Sequence, residues 1–107
     1  MNHPIAILNT SILTAEGTFS LQKISLSEAK ILASGEIISA IGHESTAQII
    51  TKLLGVDIPM NRINFEQKVG QKALVFKLKG RAPEGVILTE EQIEAIGYDF
   101  LILTRNF

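Results

Sequence analysis

A hydroxyl side chain followed three positions later by Glu or Gln occurs at Ser25/Glu28, Ser45/Gln48 and Thr89/Gln92. That spacing is the capping box, in which the two side chains satisfy backbone N–H groups that a helix start leaves without partners. Gly35, Gly55 and Gly97 supply the corresponding stops, since glycine tolerates the left-handed turn that ends many helices. Between these units lie short apolar or alternating runs, Pro4 to Leu8, Phe19 to Ile24, Glu36 to Ile41, Lys72 to Leu78 and Asp99 to Thr104. Their length and period are those of strands. The alternation predicts an α/β fold, a small single domain over residues 1–107 whose mixed five-stranded sheet is flanked by about three helices. Residues 56–71 break the pattern at Pro59, and read as loop with one short strand near Asn61 to Phe65.

Composition narrows the chemistry. With 46% hydrophobic and 20% charged residues in 107, the chain has the make-up of a soluble globular domain. No apolar run is long enough for a membrane span, and the amino terminus lacks a secretory pattern, so a cytoplasmic location is expected, in the host cytoplasm if the protein is viral. Absence of cysteine and the presence of only two histidines leave no zinc ligand set, and neither a metal nor another cofactor is expected. A net charge of −1 disfavours a general grip on long nucleic acid, although local arginines can hold a small polyanion.

One junction gathers groups able to do chemistry. The run Ile37-Ile38-Ser39-Ala40-Ile41 ends at Gly42-His43, directly before a helix start. The unpaired amides and positive dipole end of a helix welcome an anion there, beside an imidazole able to give up a proton. The plainer reading makes His43 a turn residue or a helix cap without a partner. Asn9 and Ser11 follow the first strand, as turn residues or, if that strand lies beside the one ending at Ile41, as ligand contacts on the same sheet edge. Arg62, in the irregular segment, is either a solvated cation or a phosphate contact. In Gly80-Arg81-Ala82-Pro83-Glu84-Gly85 the glycines and proline restrict Arg81 and Glu84, which suits a positioned charged pair or a bridge tying down the turn. Glu90 and Glu91 complement the dipole of the last helix. These residues taken alone describe a small-anion site built on His43, Arg62 and Arg81.

The segments Ile7-Leu8-Asn9, Ile41-Gly42-His43 with Thr46-Ala47, Asn61-Arg62 and Gly80-Arg81-Ala82-Pro83-Glu84-Gly85 resemble the DUF1874 family of archaeal viruses, phages and mobile elements. The resemblance covers nearly the whole chain. That family includes the viral ring nucleases, inhibitors of type III CRISPR that destroy the cyclic tetra-adenylate second messenger. The resemblance implies a phosphodiesterase with His43 as catalytic acid, Glu84 as assisting or positioning carboxylate, Arg62 and Arg81 as phosphate clamps, and Asn9 and Ser11 as ligand contacts. It implies cyclic tetra-adenylate as the partner molecule.

Such a reaction suits these residue types. A ribonucleotide phosphodiester carries its own nucleophile in the 2'-hydroxyl, so a site needs to align it, neutralise the phosphate and protonate the leaving 5'-oxygen. A ring of four adenylates matches a twofold homodimer with two equivalent sites, each using one histidine and together yielding di-adenylates. Two other classes fit the same residues less fully. A cyclic oligonucleotide-binding protein would keep the arginines without cutting, and a DNA-binding regulator of a mobile element would need a more basic surface.

Overall fold

The computed structural model describes residues 4–9, 16–63, 65–80 and 89–107. Strands β1 (Ile5–Asn9), β2 (Phe19–Ile24), β3 (Ile37–Ser39), β4 (Lys72–Leu78) and β5 (Tyr98–Arg105) alternate with helices α1 (Leu26–Leu32), α2 (Glu44–Leu54) and α3 (Glu90–Ile96). They form one mixed sheet in the order β2-β5-β4-β1-β3. β1 runs parallel to both β3 and β4, whereas β5 runs antiparallel to β4 and β2. The carboxyl ends of β1, β3 and β4 therefore share one edge, with β1 in the middle. This is the expected α/β architecture.

The three helices pack on one face of the sheet. Ala29 of α1, Ile50 of α2 and Ile93 of α3 are fully buried in one cluster with Ile7, Leu74, Phe76 and Phe100. Alternation along β4 sends Ala73 and Val75 to the opposite face, where they join Ala6 and Leu103 in a second cluster. No helix among the described residues covers that second face. The loop after Pro59 does so in part: Phe65 packs against it, Gln67 Nε2 donates to the Leu103 carbonyl at 2.8 Å, and Gln71 Nε2 donates to the Pro4 carbonyl at 2.9 Å. Both glutamines are buried, and the bonds offset the cost of taking their amides out of water. β4 is consequently buried on both faces, as a strand inside a two-sided core must be.

Two of the three expected capping boxes form. Ser25 with Glu28 and Thr89 with Gln92 each exchange both reciprocal bonds. The Ser45/Gln48 box does not: α2 begins at Glu44 with His43 as its cap, and Gln48 Nε2 instead donates to Glu44 Oε1 at 3.4 Å. Where the chain leaves the sheet decides this. The Ala40 N–H still pairs with the Ile7 carbonyl of β1, but the Ile41 carbonyl accepts the Asn61 N–H at 2.7 Å, and the helix follows at once. The same turning away makes β3 shorter than the Glu36 to Ile41 run. α1 stops at Ala33, before Gly35, because the N–H and hydroxyl of Ser34 both donate to the Ile31 carbonyl. Gly55 ends α2 as expected, with φ of 74°. The described residues between 61 and 65 form loop, with no strand. No helix among the described residues is long and apolar enough to cross a membrane.

Candidate functional site

The site begins with a buried serine in an apolar strand. Ser39 is 6% exposed, and its hydroxyl donates to the Pro59 carbonyl at 2.6 Å. The Ser39 carbonyl accepts from Asn61 Nδ2 at 2.8 Å, while the Asn61 N–H donates to Ile41. Farther from the sheet, Ile58 is tied to α2 through the Thr51 hydroxyl, which accepts the Ile58 N–H at 2.9 Å. Residues 58–61 are thus sewn to the end of β3 and the flank of α2. The next residue in the chain is Arg62.

Its placement follows from that stitching. Arg62 Nε donates to the Gly42 carbonyl at 2.8 Å, and the stem passes close enough that a Cβ on Gly42 would stand 3.5 Å from Arg62 Cγ. Gly42 immediately precedes His43. One guanidinium N–H is used in this bond, leaving a fork of further donors in an exposed position. His43 caps α2 from an extended backbone (φ −131°, ψ 130°), and its carbonyl accepts the Ala47 N–H at 3.0 Å. The imidazole makes no capping bond and is exposed, which matches the plainer expectation of a helix cap without a partner as well as the needs of a proton donor. Glu44, the one acid of the first turn of α2, is the nearest opposing charge along the chain.

Asn9 reaches the same edge. Its strand pairs with β3 up to Ile7↔Ser39, and Asn9 lies two positions beyond, half-buried and opposite Phe76 of β4. The edge outside the carboxyl ends of parallel strands is where open α/β sheets hold ligands. The structure accordingly brings Asn9, His43 and Arg62 to one edge. Ser11, Arg81 and Glu84 lie outside the described residues. Among the described residues, no group of three or more His, Cys, Asp or Glu side chains is arranged to hold a metal ion.

Ser39 and Asn61 are the residues that sequence reasoning passed over. A lone serine inside Ile37-Ile38-Ser39-Ala40-Ile41 was the available signal, because a buried hydroxyl requires a partner. That partner is twenty positions away. A second polar cluster lies farther along the same edge, where Asp99 accepts from Lys23 at 3.0 Å and stands 3.8 Å from Lys79. The hydrogen bond from Lys23 holds the Asp99 carboxyl below its ordinary value, with the positive charges of Lys23, Lys79 and Lys77 adding to it. Tyr98 is pushed up by burial and by the neighbouring Glu94.

A family model for STIV B116-like proteins matches residues 5–100. The chain belongs to the STIV B116-like family. Across this family relationship the Bacillus subtilis (strain 168) protein YddF is 43% identical over 104 residues, covering 94% of this chain and 96% of its own. ORF117 of Acidianus two-tailed virus is 35% identical over 106 residues, covering 92% and 91%. Protein 26 of Sulfolobus islandicus filamentous virus is 42% identical over 99 residues, covering 87% and 84%. The STIV B116-like fold is also seen directly: B116 of Sulfolobus turreted icosahedral virus superposes with a TM-score of 0.81 over 96% of this chain and 100% of that one, at 22% identity. At that identity the match speaks for the fold alone. Archaeal viruses are thus among the sources of this family.

Proposed function

We propose that this STIV B116-like protein is a metal-independent ring nuclease that cleaves cyclic tetra-adenylate to linear di-adenylates bearing 2',3'-cyclic phosphate, and so antagonises type III CRISPR signalling. The observation that carries the reading is Arg62, bonded to the carbonyl of Gly42 and so presented one residue from the exposed His43 at the start of α2. A phosphate seated there meets a guanidinium fork, the unpaired amides of a helix start and an imidazole together.

The chemistry follows from these groups. The 2'-oxygen attacks phosphorus, its proton passes to solvent, and the bond from phosphorus to the 5'-oxygen breaks. Protonated His43 gives its proton to that leaving oxygen. Arg62, with Arg81, offsets the charge on the phosphoryl oxygens, Asn9 and Ser11 contact the ring, and Glu84 assists or positions. Two protomers present two such sites to a ring with fourfold character. The protein acts in the cytoplasm in this reading.

Incubation of the purified protein with cyclic tetra-adenylate, beside His43→Ala, tests it. Loss of the acid should slow cleavage by ~10²–10⁴-fold while binding stays within about tenfold. A variant that cuts at near the parent rate would remove His43 from the mechanism. Binding without cutting by the parent would leave the sequestering alternative, which needs the arginines but no proton donor.

A further inference from the structure

The end of β2, the start of β5 and the end of α3 border a cavity of about 300 Å³, on the side of the sheet away from β3. Part of its lining is apolar: Ile24 and Leu26 to either side of the Ser25 cap, and the buried Phe100, whose ring meets that of Tyr98 edge-on at 5.7 Å. Charges of both signs complete it. Lys23 and Asp99 neutralise one another at 3.0 Å. Lys79 Nζ stands 3.8 Å from the same carboxylate, beyond hydrogen-bonding distance. The stem of Lys79 is nevertheless held. Its N–H donates to the Gly97 carbonyl at 2.9 Å, and a Cβ on Gly97 would stand 3.2 Å from Lys79 Cδ. Gly97, at φ of 86°, thus leaves the room that the lysine uses. From α3, Glu94 accepts the Tyr98 hydroxyl on one oxygen at 3.4 Å, and a carboxylate has capacity for further donors.

We propose that this cavity binds a small zwitterion, a free amino acid with an apolar side chain, its carboxylate on Lys79, its ammonium on Glu94 and its side chain against Ile24, Leu26 and Phe100. The charges of the lining sum to zero, Lys23 and Lys79 against Asp99 and Glu94. An anion alone would meet the two carboxylates and a cation alone the two lysines, whereas one molecule carrying both charges complements both walls. An uncharged ligand would strip water from Lys79 and Glu94 without replacing its hydrogen bonds. The volume lies at the small end of ligand cavities, which suits a single amino acid. This site is separate from the one at Arg62 and His43 and does not rest on the reading of that site.

The test titrates L-phenylalanine into the isotope-labelled full chain and follows backbone amide shifts by NMR. Saturable shifts centred on Lys23, Lys79, Gly97 and Tyr98 are expected, with a dissociation constant on the order of 1 mM for a ligand of this size. Phenylalaninamide lacks the carboxylate and N-acetylphenylalanine the ammonium, so each should bind about tenfold more weakly. Lys79→Met should bring L-phenylalanine within about threefold of phenylalaninamide, and Glu94→Gln should bring it within about threefold of N-acetylphenylalanine. Both side chains are exposed, and an unchanged amide spectrum outside the cavity shows that each variant keeps the fold. Absence of saturable shifts overturns the proposal. Shifts centred elsewhere, equal binding of the three compounds, or variants that keep the parent's preferences overturn it as well. None of these outcomes depends on whether the chain cleaves cyclic tetra-adenylate, so the two readings stand or fall separately.

Discussion

Asn61→Ala removes one side-chain hydrogen bond and asks how much of the site depends on it. In the parent, Nδ2 donates at 2.8 Å to the carbonyl of Ser39, a residue only 6% exposed. Truncation forfeits a bond whose net worth is typically 0.5–1.5 kcal/mol, and leaves a carbonyl without its donor, a penalty of about 1–3 kcal/mol where water cannot replace it. Asn61 itself is half-exposed, so water enters the vacated space in part, and the expected cost is roughly 1–2 kcal/mol. For a domain of this size that lowers the melting midpoint by roughly 5–10 °C. The backbone bond from Asn61 to Ile41 remains, so the fold survives while the segment carrying Arg62 loosens. Cleavage should fall about tenfold or more, since a misplacement near 1 Å at a reacting centre costs up to ~10² in rate. Asn61→Asp, of the same shape but turning an acceptor toward that carbonyl, should be at least as destabilising. Urea unfolding and single-turnover cleavage read the two effects. Stability within about 0.3 kcal/mol of the parent, together with unaltered cleavage, would refute the argument that this bond holds the site.

Arg62→Ala and Arg81→Ala should each weaken binding of the tetra-anionic ring as well as slow its cleavage, because each deletes a charge-assisted contact; undiminished ring affinity in both, by direct titration, would show that the clamps are misassigned. Cleavage should persist at the parent rate in excess EDTA, as acid–base chemistry on a built-in nucleophile requires no metal; abolition by chelation and recovery with a divalent ion would contradict that scheme. The Lys23 hydrogen bond lowers the Asp99 pKa below the ordinary 3.8, so the stability it confers is present above that pH and is lost as pH falls through the folded-state value. Parent and Asp99→Asn should accordingly converge in acid unfolding curves at the lowest pH, and a gap that widens there would reverse the sign.

The parts of this fold legible in the sequence are those decided within a few residues. Ser25/Glu28 and Thr89/Gln92 cap their helices as the spacing alone implies, and the five apolar runs all become strands. Ser45/Gln48 has the same spacing and fails, because the start of α2 is set by the point where the chain leaves β1, a contact between residues more than thirty positions apart. His43 is recognisable from its place after a strand and Asn9 from its polar side chain at the end of an apolar run, where it closes β1, and the parallel pairing of β1 with β3 brings them to one edge. Arg62 was recognisable as a candidate, but not its position: that depends on Ser39 and Asn61, whose bonds close a span of twenty residues or more. The burial of β4 on both faces was likewise hidden, since it arises from a loop folding back through Gln67 and Gln71.

The most direct test of the central claim is the chemical nature of the ends produced when the protein is given cyclic tetra-adenylate, read by mass spectrometry at an early time point. An attack by the neighbouring 2'-hydroxyl, with His43 protonating the leaving oxygen, leaves a 2',3'-cyclic phosphate on one end and a free 5'-hydroxyl on the other, with di-adenylate as the main species and linear tetra-adenylate only in passing. The fully 2'-deoxy ring should remain whole and compete with the substrate. A 5'-phosphate end, or efficient cutting of the deoxy ring, would contradict the account.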